Sequence, residues 1–403
     1  VKALAVVLTA SIAVQMMAAV AVYTPPILAP AASGETGITD TAIGLFTAIV
    51  FFVSSSSALI GGGYVARYGA VRVSQVGLLL TGAGLALCAL AHPLALIAGA
   101  IVIGCGYGPS TPAGSAMLIG HTPDRLRNLL MSIRQTGVPL GGAFAGFVVP
   151  WIVLAAGWRA ALIAMGALCA LLALALQAVR ADYDRPGAAG AGSRPRFARM
   201  MRMVTAHAEL RRLTLTAFAY GGMQMCLASY LVVCLVGQGG LGVVAAGAAL
   251  SAAMIAGIVG RVVWGAVADY TGEARRLLAL LGLMMAACAL AIGQISSAWP
   301  YAAVLALSAV FGATAVGWNG VYIAEIARVA PEGQVAAATG ASLALTYLGA
   351  VVGPFVFWLI VTATGSYAIA FGAAALVILA AAASMARRMP AAGGSAQGAP
   401  WHR

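Results

Sequence analysis

Residues 257–276 read Gly257-Ile258-Val259-Gly260-Arg261-Val262-Val263-Trp264-Gly265-Ala266-Val267-Ala268-Asp269-Tyr270-Thr271-Gly272-Glu273-Ala274-Arg275-Arg276. An apolar run holding one arginine reaches Asp269, turns at Gly272 and meets two more arginines before the next apolar run starts at Leu277. A transmembrane helix ends in this way, with a glycine that lets the chain reverse and basic residues at the polar interface. The pattern stands 203 positions earlier in weaker form, as Gly62-x-x-x-Ala66-x-x-Gly69-x-x-Arg72. Gln15-Met16 returns as Gln224-Met225, and Pro123-Asp124 with Gly141 returns as Pro331-Glu332 with Gly349, at offsets of about 209 and 208. Three short matches in the same order indicate a duplicated unit.

Composition says what surrounds that unit. Of 403 residues, 62% are in the AVILMFWYC set and 8% are charged, the formal net charge is +12, and the mean hydropathy is +0.99. Soluble domains carry about a quarter charged residues, so this chain cannot cover a water-facing surface and a soluble enzyme is excluded. A nucleic-acid binder is excluded too, because a basic patch needs a solvated face. Apolar runs of twenty residues show none of the period-two alternation of a membrane barrel.

At about 20 apolar residues per crossing, spans fall near 3–24, 41–64, 71–91, 94–118, 129–154, 157–178, 213–236, 243–267, 277–297, 300–326, 336–362 and 366–386. The expected fold is an all-α integral membrane protein, with twelve transmembrane helices in two pseudo-symmetric six-helix bundles. Span one is longer than a signal-peptide core and ends at Pro25-Pro26 rather than at a cleavage site, so it is read as a span. The start at Val1 fits loss of an initiator methionine. The expected division is a first bundle over 1–178, a linker over 179–212, a second bundle over 213–389 and a tail over 390–403. The linker carries Arg194, Arg196, Arg199 and Arg202, the pattern of a basic helix lying on the membrane surface.

With the N-terminus inside, the inner loops, linker and tail collect Lys2, Arg67, Arg72, Arg125, Arg127, Arg180 and further arginines, while the outer side keeps only Arg159. That bias places both termini in the cytoplasm of a bacterial-type inner membrane. The basic loops face anionic lipid, so the net charge is a topology signal. All six cysteines fall in spans without metal-ligand spacing, and neither a disulfide framework nor a metal site is implied. No cofactor or nucleic acid is expected. The expected partners are a small, anionic substrate and membrane lipid, with the chain as a monomer.

Two similar six-helix units with a cytoplasmic linker resemble the major facilitator superfamily over essentially the whole chain. Gly265, Asp269 and Gly272 with Arg275 are similar to that family's Gly-x-x-x-Asp-x-x-Gly loop signature. Gly62, Arg67, Gly69 and Arg72 form the first-half copy, in which Ala66 replaces the usual Asp. The resemblance implies rocker-switch alternating access, a midplane substrate site and a gating role for these loop residues. It implies that Asp269 faces the N-terminus of span five, where a carboxylate gains about 0.3–1 kcal/mol when exposed and up to about 2 when partly buried. Gly137, Gly141, Gly142 and Gly146 of span five, and Gly257, Gly260 and Gly265 of span eight, have spacing that suits close approach of the two helices, static or sliding.

A charge in hydrocarbon costs at least about 2.5–3.5 kcal/mol, and the topology leaves only Arg134 and Arg261 inside spans. Arg261 is eight residues from Asp269, about 12 Å along the helix, and so lies near mid-membrane. The order Arg261-x-x-x-Gly265-x-x-x-Asp269 is similar to span eight of the monocarboxylate and oxalate/formate transporters. The likeness implies that the guanidinium engages a substrate carboxylate, which its planar fork can bind through two hydrogen bonds. Gly257 stands where some relatives have Asp, and the alternative is an arginine that snorkels or pairs with a carbonyl. Arg134 either adds to an anion-attracting cavity or pairs with Asp269 at the inner gate. Gln15 and Gln224 occupy equivalent midplane positions and can bind substrate or each other's neighbours. Tyr107 and Asn319, the latter beside Trp318, complete the candidate cavity.

No Asp or Glu lies deep in a span, and His92, His121, His207 and His402 fall in loops or the tail. A proton relay through a buried carboxylate is therefore disfavoured, although a carboxylate substrate can carry its own proton. The expected function is secondary transport of a small organic or inorganic anion, monocarboxylate-like. Gly317-Trp318-Asn319-Gly320 and Arg134-Gln135-Thr136-Gly137 are also similar to cyanate-permease-like members. A multidrug or small-neutral-solute exporter is the alternative, weakened by the missing acidic cavity residue. An integral-membrane transferase is more remote, because the one acidic pair, Asp182-x-Asp184, sits in the linker beside Arg180 and Arg185.

Overall fold

In hydrocarbon a single segment can satisfy its own N–H and C=O groups only as a helix, and the apolar runs form helices throughout. The computed structural model describes residues 2–119, 122–123, 126–184, 197–331 and 334–386, and no strand occurs among them. Spans one to four are α1 (Lys2–Thr36), α2 (Ile43–Tyr68), α3 (Ala70–Cys88) and α4 (Pro93–Ile119). Span five is α5 (Arg127–Gln135) with the first limb of α6 (Gly137–Ala175), and span six is the second limb with α7 (Gln177–Tyr183). Linker helix α8 (Phe197–Ala206) follows, then α9 (Ala208–Gly237), α10 (Val243–Thr271) and α11 (Ala274–Gly293) as spans seven to nine. Span ten is α12 (Tyr301–Ala315) with α13 (Asn319–Val329), and α14 (Val335–Thr364) and α15 (Tyr367–Ala386) complete the set. Asp124, Arg125, Arg185, Arg194, Arg196, Glu332, His121 and the tail 390–403 lie outside the described residues.

Among the described residues eleven helical stretches are long and apolar enough to cross a bilayer, and one of them, 129–181, has 53 residues. At 1.5 Å per residue that stretch is about 80 Å long, more than twice the ~30 Å hydrocarbon core. It turns back at Gly157, whose φ of 84° and ψ of 167° suit glycine alone. With both limbs counted the crossings number twelve.

The helix ends differ from the sequence reading by a few residues in several places, as where α2 runs on to Tyr68 and α9 starts at Ala208, and most at the end of α1. Helix α1 does not stop at Pro25-Pro26 but continues through them and Pro30 to Thr36. Proline's φ is compatible with a helix, and burial among neighbouring helices tolerates the missing donors. The Thr24 hydroxyl donates to the Val20 carbonyl at 2.7 Å in the same region.

In the first half α1 packs on α6, and α4 packs on α2 and α3. In the second, α9 packs on α14, α11 on α15 and α10 on α12. The halves meet where α6 lies against α10 and α2 against α14, with α1 against α9 between them. The α2–α3 turn, the linker and the α10–α11 turn share one end of the bundle, here the linker end. There Asp184 accepts hydrogen bonds from the Val71 and Arg72 backbone N–H groups at 2.7 and 3.0 Å, capping α3.

Candidate functional site

Two helix breaks meet where the halves touch. Pro139 has no N–H, so the Gln135 carbonyl loses its usual i+4 donor, and α5 ends there. Arg261 of the opposite half supplies a donor instead, with Nη1 3.2 Å from the Gln135 oxygen. Its Nε donates to the Val316 carbonyl at 3.1 Å. Val316 opens the break of span ten, where three main-chain carbonyls accept from side chains. Trp264 Nε1 donates to Ala313 at 2.8 Å, Trp318 Nε1 to Ala315 at 3.1 Å, and Asn319 Nδ2 joins Arg261 on Val316 at 3.3 Å. Asn319 Nδ2 also reaches Gln224 Oε1 at 3.3 Å. Trp318 is fully buried, edge-on to the rings of Tyr220 and Tyr322, so it packs the core behind the site.

Arg134 is 2% exposed. Its Nη1 donates to Gln15 Oε1 at 2.9 Å and its Nη2 to Ser115 Oγ at 3.2 Å, while its Nε is buried without a partner. Gly114 makes the room, since a Cβ there would stand 2.9 Å from Nη1. The Tyr107 and Tyr347 phenols lie within electrostatic range of Arg134, and the Tyr107 hydroxyl neighbours Gln15. Tyr347 belongs to the second half and reaches Thr111 of the first. Tyr23 is within range of both Tyr107 and Arg261, and its hydroxyl is buried without a partner. Three phenols and three amides thus gather around two guanidinium groups, neither of which has a carboxylate partner among the described residues.

Several expectations change. Arg134 does not pair with Asp269, because Gln15 and Ser115 take its donors first. Arg261 does bond carbonyls, yet Nη2 has no partner among the described residues. Gly137 and Gly141 press on α1 rather than α10, while Gly257 and Gly260 press on α12, and nothing lies within 4 Å of the Cβ position at Gly265. The seam between α6 and α10 is instead an antiparallel series. Gly146 meets Gly247, the Ser251 hydroxyl donates to the Ala143 carbonyl at 2.8 Å, Gly142 meets Met254, and Gln135 meets Arg261. At the far end the halves are also joined by Thr47 with Ser229 at 2.9 Å and by the Tyr230 hydroxyl donating to the Thr41 carbonyl at 3.0 Å.

At the linker end Asp269 is exposed, with no hydrogen bond or ion pair among the described residues, and Tyr270 beside it is 94% exposed. Gly272 closes α10 in the left-handed conformation, φ 67°. Arg275 binds Glu209 through two hydrogen bonds of 3.0 and 2.6 Å and buried Glu325 at 2.6 Å, and Arg328 also holds Glu325. This network ties α9, α11 and α13 within one half and does not bridge the halves. In the first half Arg72 Nη1 is 3.5 Å from Gln75 Oε1, Arg67 lies 5.2 Å from the centre of the Tyr68 ring, Gly62 is half-buried, and Gly69 (φ 89°) sits against Asp184. The Asp184 cap stands where the second half has its ion network.

A cavity of about 190 Å³ at the far end of the first half is lined by Pro25, Leu28, Phe46, Cys88 and Trp158 among others and contains neither arginine. It is a separate feature from the polar site.

Tyr23, Ser115 and Tyr347 were not legible as site residues. Tyr23 could have been found, since it is two turns from Gln15 on the same face of α1, and so could the Gln135 carbonyl, four residues before a proline. Tyr347 has no local signal, because its position comes from the meeting of two halves.

The family model described as Major Facilitator Superfamily matches residues 10–354. The chain is 26% identical over 302 residues to the gallate transporter of Pseudomonas putida, covering 67% of this chain and 66% of that protein. It is 32% identical over 151 residues to the 4-hydroxybenzoate transporter PcaK of the same species, covering 37% and 34%. Over 142 residues it is 30% identical to the "Probable sulfoacetate transporter SauU" of Cupriavidus necator, covering 35% and 33%. The chain spans less than two thirds of the length of each of these curated relatives. Among solved structures, a D-xylose-proton symporter aligns with a TM-score of 0.78 at 14% identity, over 96% of this chain and 97% of that one. A bacterial homologue of the human lysosomal transporter Spinster, inward-facing and occupied, aligns with 0.75 at 16% identity over 94% and 96%. Both likenesses are likenesses of fold.

Proposed function

The chain belongs to the major facilitator superfamily, and on that premise we propose that it is a secondary transporter of a small organic anion, working by alternating access. The observation that carries this reading is the pair Arg134 and Arg261, held among the described residues by neutral oxygens alone. A desolvated cation without a counter-charge attracts an anion strongly, and a guanidinium presents donors that match a carboxylate or sulfonate. Arg134 Nε and Arg261 Nη2 are the donors left for it, with Gln15, Gln224 and Asn319 placed to adjust the site's polarity. The aromatic body of a substrate would lie against Tyr107 and Tyr347. The gallate, 4-hydroxybenzoate and sulfoacetate named for the relatives all carry such an anionic group.

In this reading residues 1–178 and 213–389 rock about the α6–α10 seam, with both termini cytoplasmic and the far end facing outward. The loop residues Gly62, Arg67, Gly69, Arg72, Gly265, Asp269, Gly272 and Arg275 set how the linker end closes, Asp269 by meeting the start of α5. Export of lipophilic cations fits less well, since two uncompensated arginines would repel them.

The test is thermal stabilisation of the purified protein by gallate, 4-hydroxybenzoate, sulfoacetate and tetraphenylphosphonium. A ligand at a hundredfold excess over Kd adds about 2.7 kcal/mol, a readable rise in Tm. We expect at least one anion to stabilise the wild type and to lose its effect in Arg134→Gln and Arg261→Gln. Stabilisation by the cation alone, or an anion effect unchanged in both variants, would overturn the reading.

A further inference from the structure

Two polar groups of the site are buried with nothing to bond, the Tyr23 hydroxyl and Arg134 Nε. A buried donor or acceptor left unsatisfied carries the full penalty of its desolvation, so native structures rarely keep one that no water, ion or ligand completes, and these two face the same substrate site. These two stand at different levels of the site. Gln15, the acceptor that holds Arg134, and Tyr23 are eight residues apart on α1, about 12 Å along its axis. That is their separation along the backbone, which the side chains shorten: Tyr23 lies in range of Arg261 and of Tyr107, and Tyr107 neighbours Gln15, so both orphaned groups belong to one site.

We infer that Tyr23 is a specificity-determining residue, selecting anions that carry a second polar group opposite the carboxylate or sulfonate. The inference rests on the anion-transport reading and narrows it. The anionic group takes Arg134 Nε, and the far hydroxyl or second acid group takes the Tyr23 hydroxyl, within the field of Arg261. A monofunctional anion of the same size leaves the phenol unsatisfied, and a site built to hydrogen-bond a polar group rejects the analogue that lacks it. Tyr23 is well placed for this role. It is 3% exposed, and its ring packs at the seam, with Cζ 3.3 Å from where a Cβ at Gly142 would stand.

The experiment compares probes matched in charge, 4-hydroxybenzoate with benzoate and 4-hydroxybenzenesulfonate with benzenesulfonate, by isothermal calorimetry on the full chain and on Tyr23→Phe. The wild type should bind the bifunctional member of at least one pair about tenfold more tightly. Tyr23→Phe should erase that ratio by weakening the bifunctional probe while leaving the monofunctional one unchanged. Because the hydroxyl has no protein partner, the empty Tyr23→Phe protein should melt at the wild-type temperature or above it. A ratio that survives the substitution, a wild type that binds both members of each pair equally, or a fall in the empty protein's Tm of several degrees would overturn the inference alone. If no anion binds the wild type, the transport reading falls, and the role of Tyr23 falls with it.

Discussion

The cation at Arg134 is held by two neutral oxygens, Gln15 Oε1 and Ser115 Oγ, in a setting only 2% exposed. Replacing the amide therefore has opposite effects according to charge. Gln15→Leu leaves a buried guanidinium N–H without an acceptor, at a cost of about 1–3 kcal/mol, and the empty protein should melt several degrees lower. Gln15→Glu places a counter-charge beside Arg134. The empty protein should then melt at least as high as the wild type, while the stabilisation by anions falls because Arg134 is neutralised and only Arg261 remains without a counter-charge. Thermal melts of the three proteins with and without 4-hydroxybenzoate check both statements. At this scale the sequence pointed to Arg134 and Gln15 separately, each as an anomaly in a span, but could not pair them. The two are 119 positions apart, and no spacing rule links a residue of span one to one of span five.

Among the elements, the seam between α6 and α10 decides how the halves can move. Its far end depends on Gly146, where a Cβ would stand 2.7 Å from both the Gly247 carbonyl oxygen and the Ser251 hydroxyl. Gly146→Leu should hold the far end apart. A cysteine in place of buried Thr47 should then react at least about tenfold faster with a hydrophilic maleimide than in the Gly146 background, read in detergent by mass spectrometry. An unchanged rate would mean that the seam is not what closes that end. Glycines spaced along spans five and eight were legible as close-packing residues, but not their partners. A small residue permits approach from any side, and the neighbour is chosen by the arrangement of the whole bundle. The same limit explains α1, where Pro25-Pro26 reads locally as a stop and burial among other helices carries the helix on to Thr36.

For the molecule as a whole, the charge bias predicts an orientation. Among the described residues the linker end carries Arg67, Arg72, Arg180, Arg202, Arg211, Arg212, Arg275, Arg276 and Arg328, and the far end carries Arg159, which pairs with Glu35. Positive loops stay on the cytoplasmic side. Ser297→Cys, exposed at the far end, should be labelled in intact cells by a membrane-impermeant maleimide, and Tyr270→Cys only after permeabilisation. The reverse pattern would place the linker end outside and overturn that orientation.

Class and span number follow from the sequence by itself, which also raises the expectation of a duplicated unit and of two arginines inside spans. Each is a property of local composition or of a pattern repeated at fixed offset, and the cost of placing a residue in hydrocarbon is paid residue by residue. Only the tertiary structure decided that Arg134 turns to Gln15 and Ser115 rather than Asp269, that Arg261 bonds two carbonyls at helix breaks in opposite halves, and that Tyr23 and Tyr347 join them. Those outcomes depend on which helices touch and at what depth. Contacts between residues on different spans, 19 to 126 positions apart here, are set by the packing of all the spans at once.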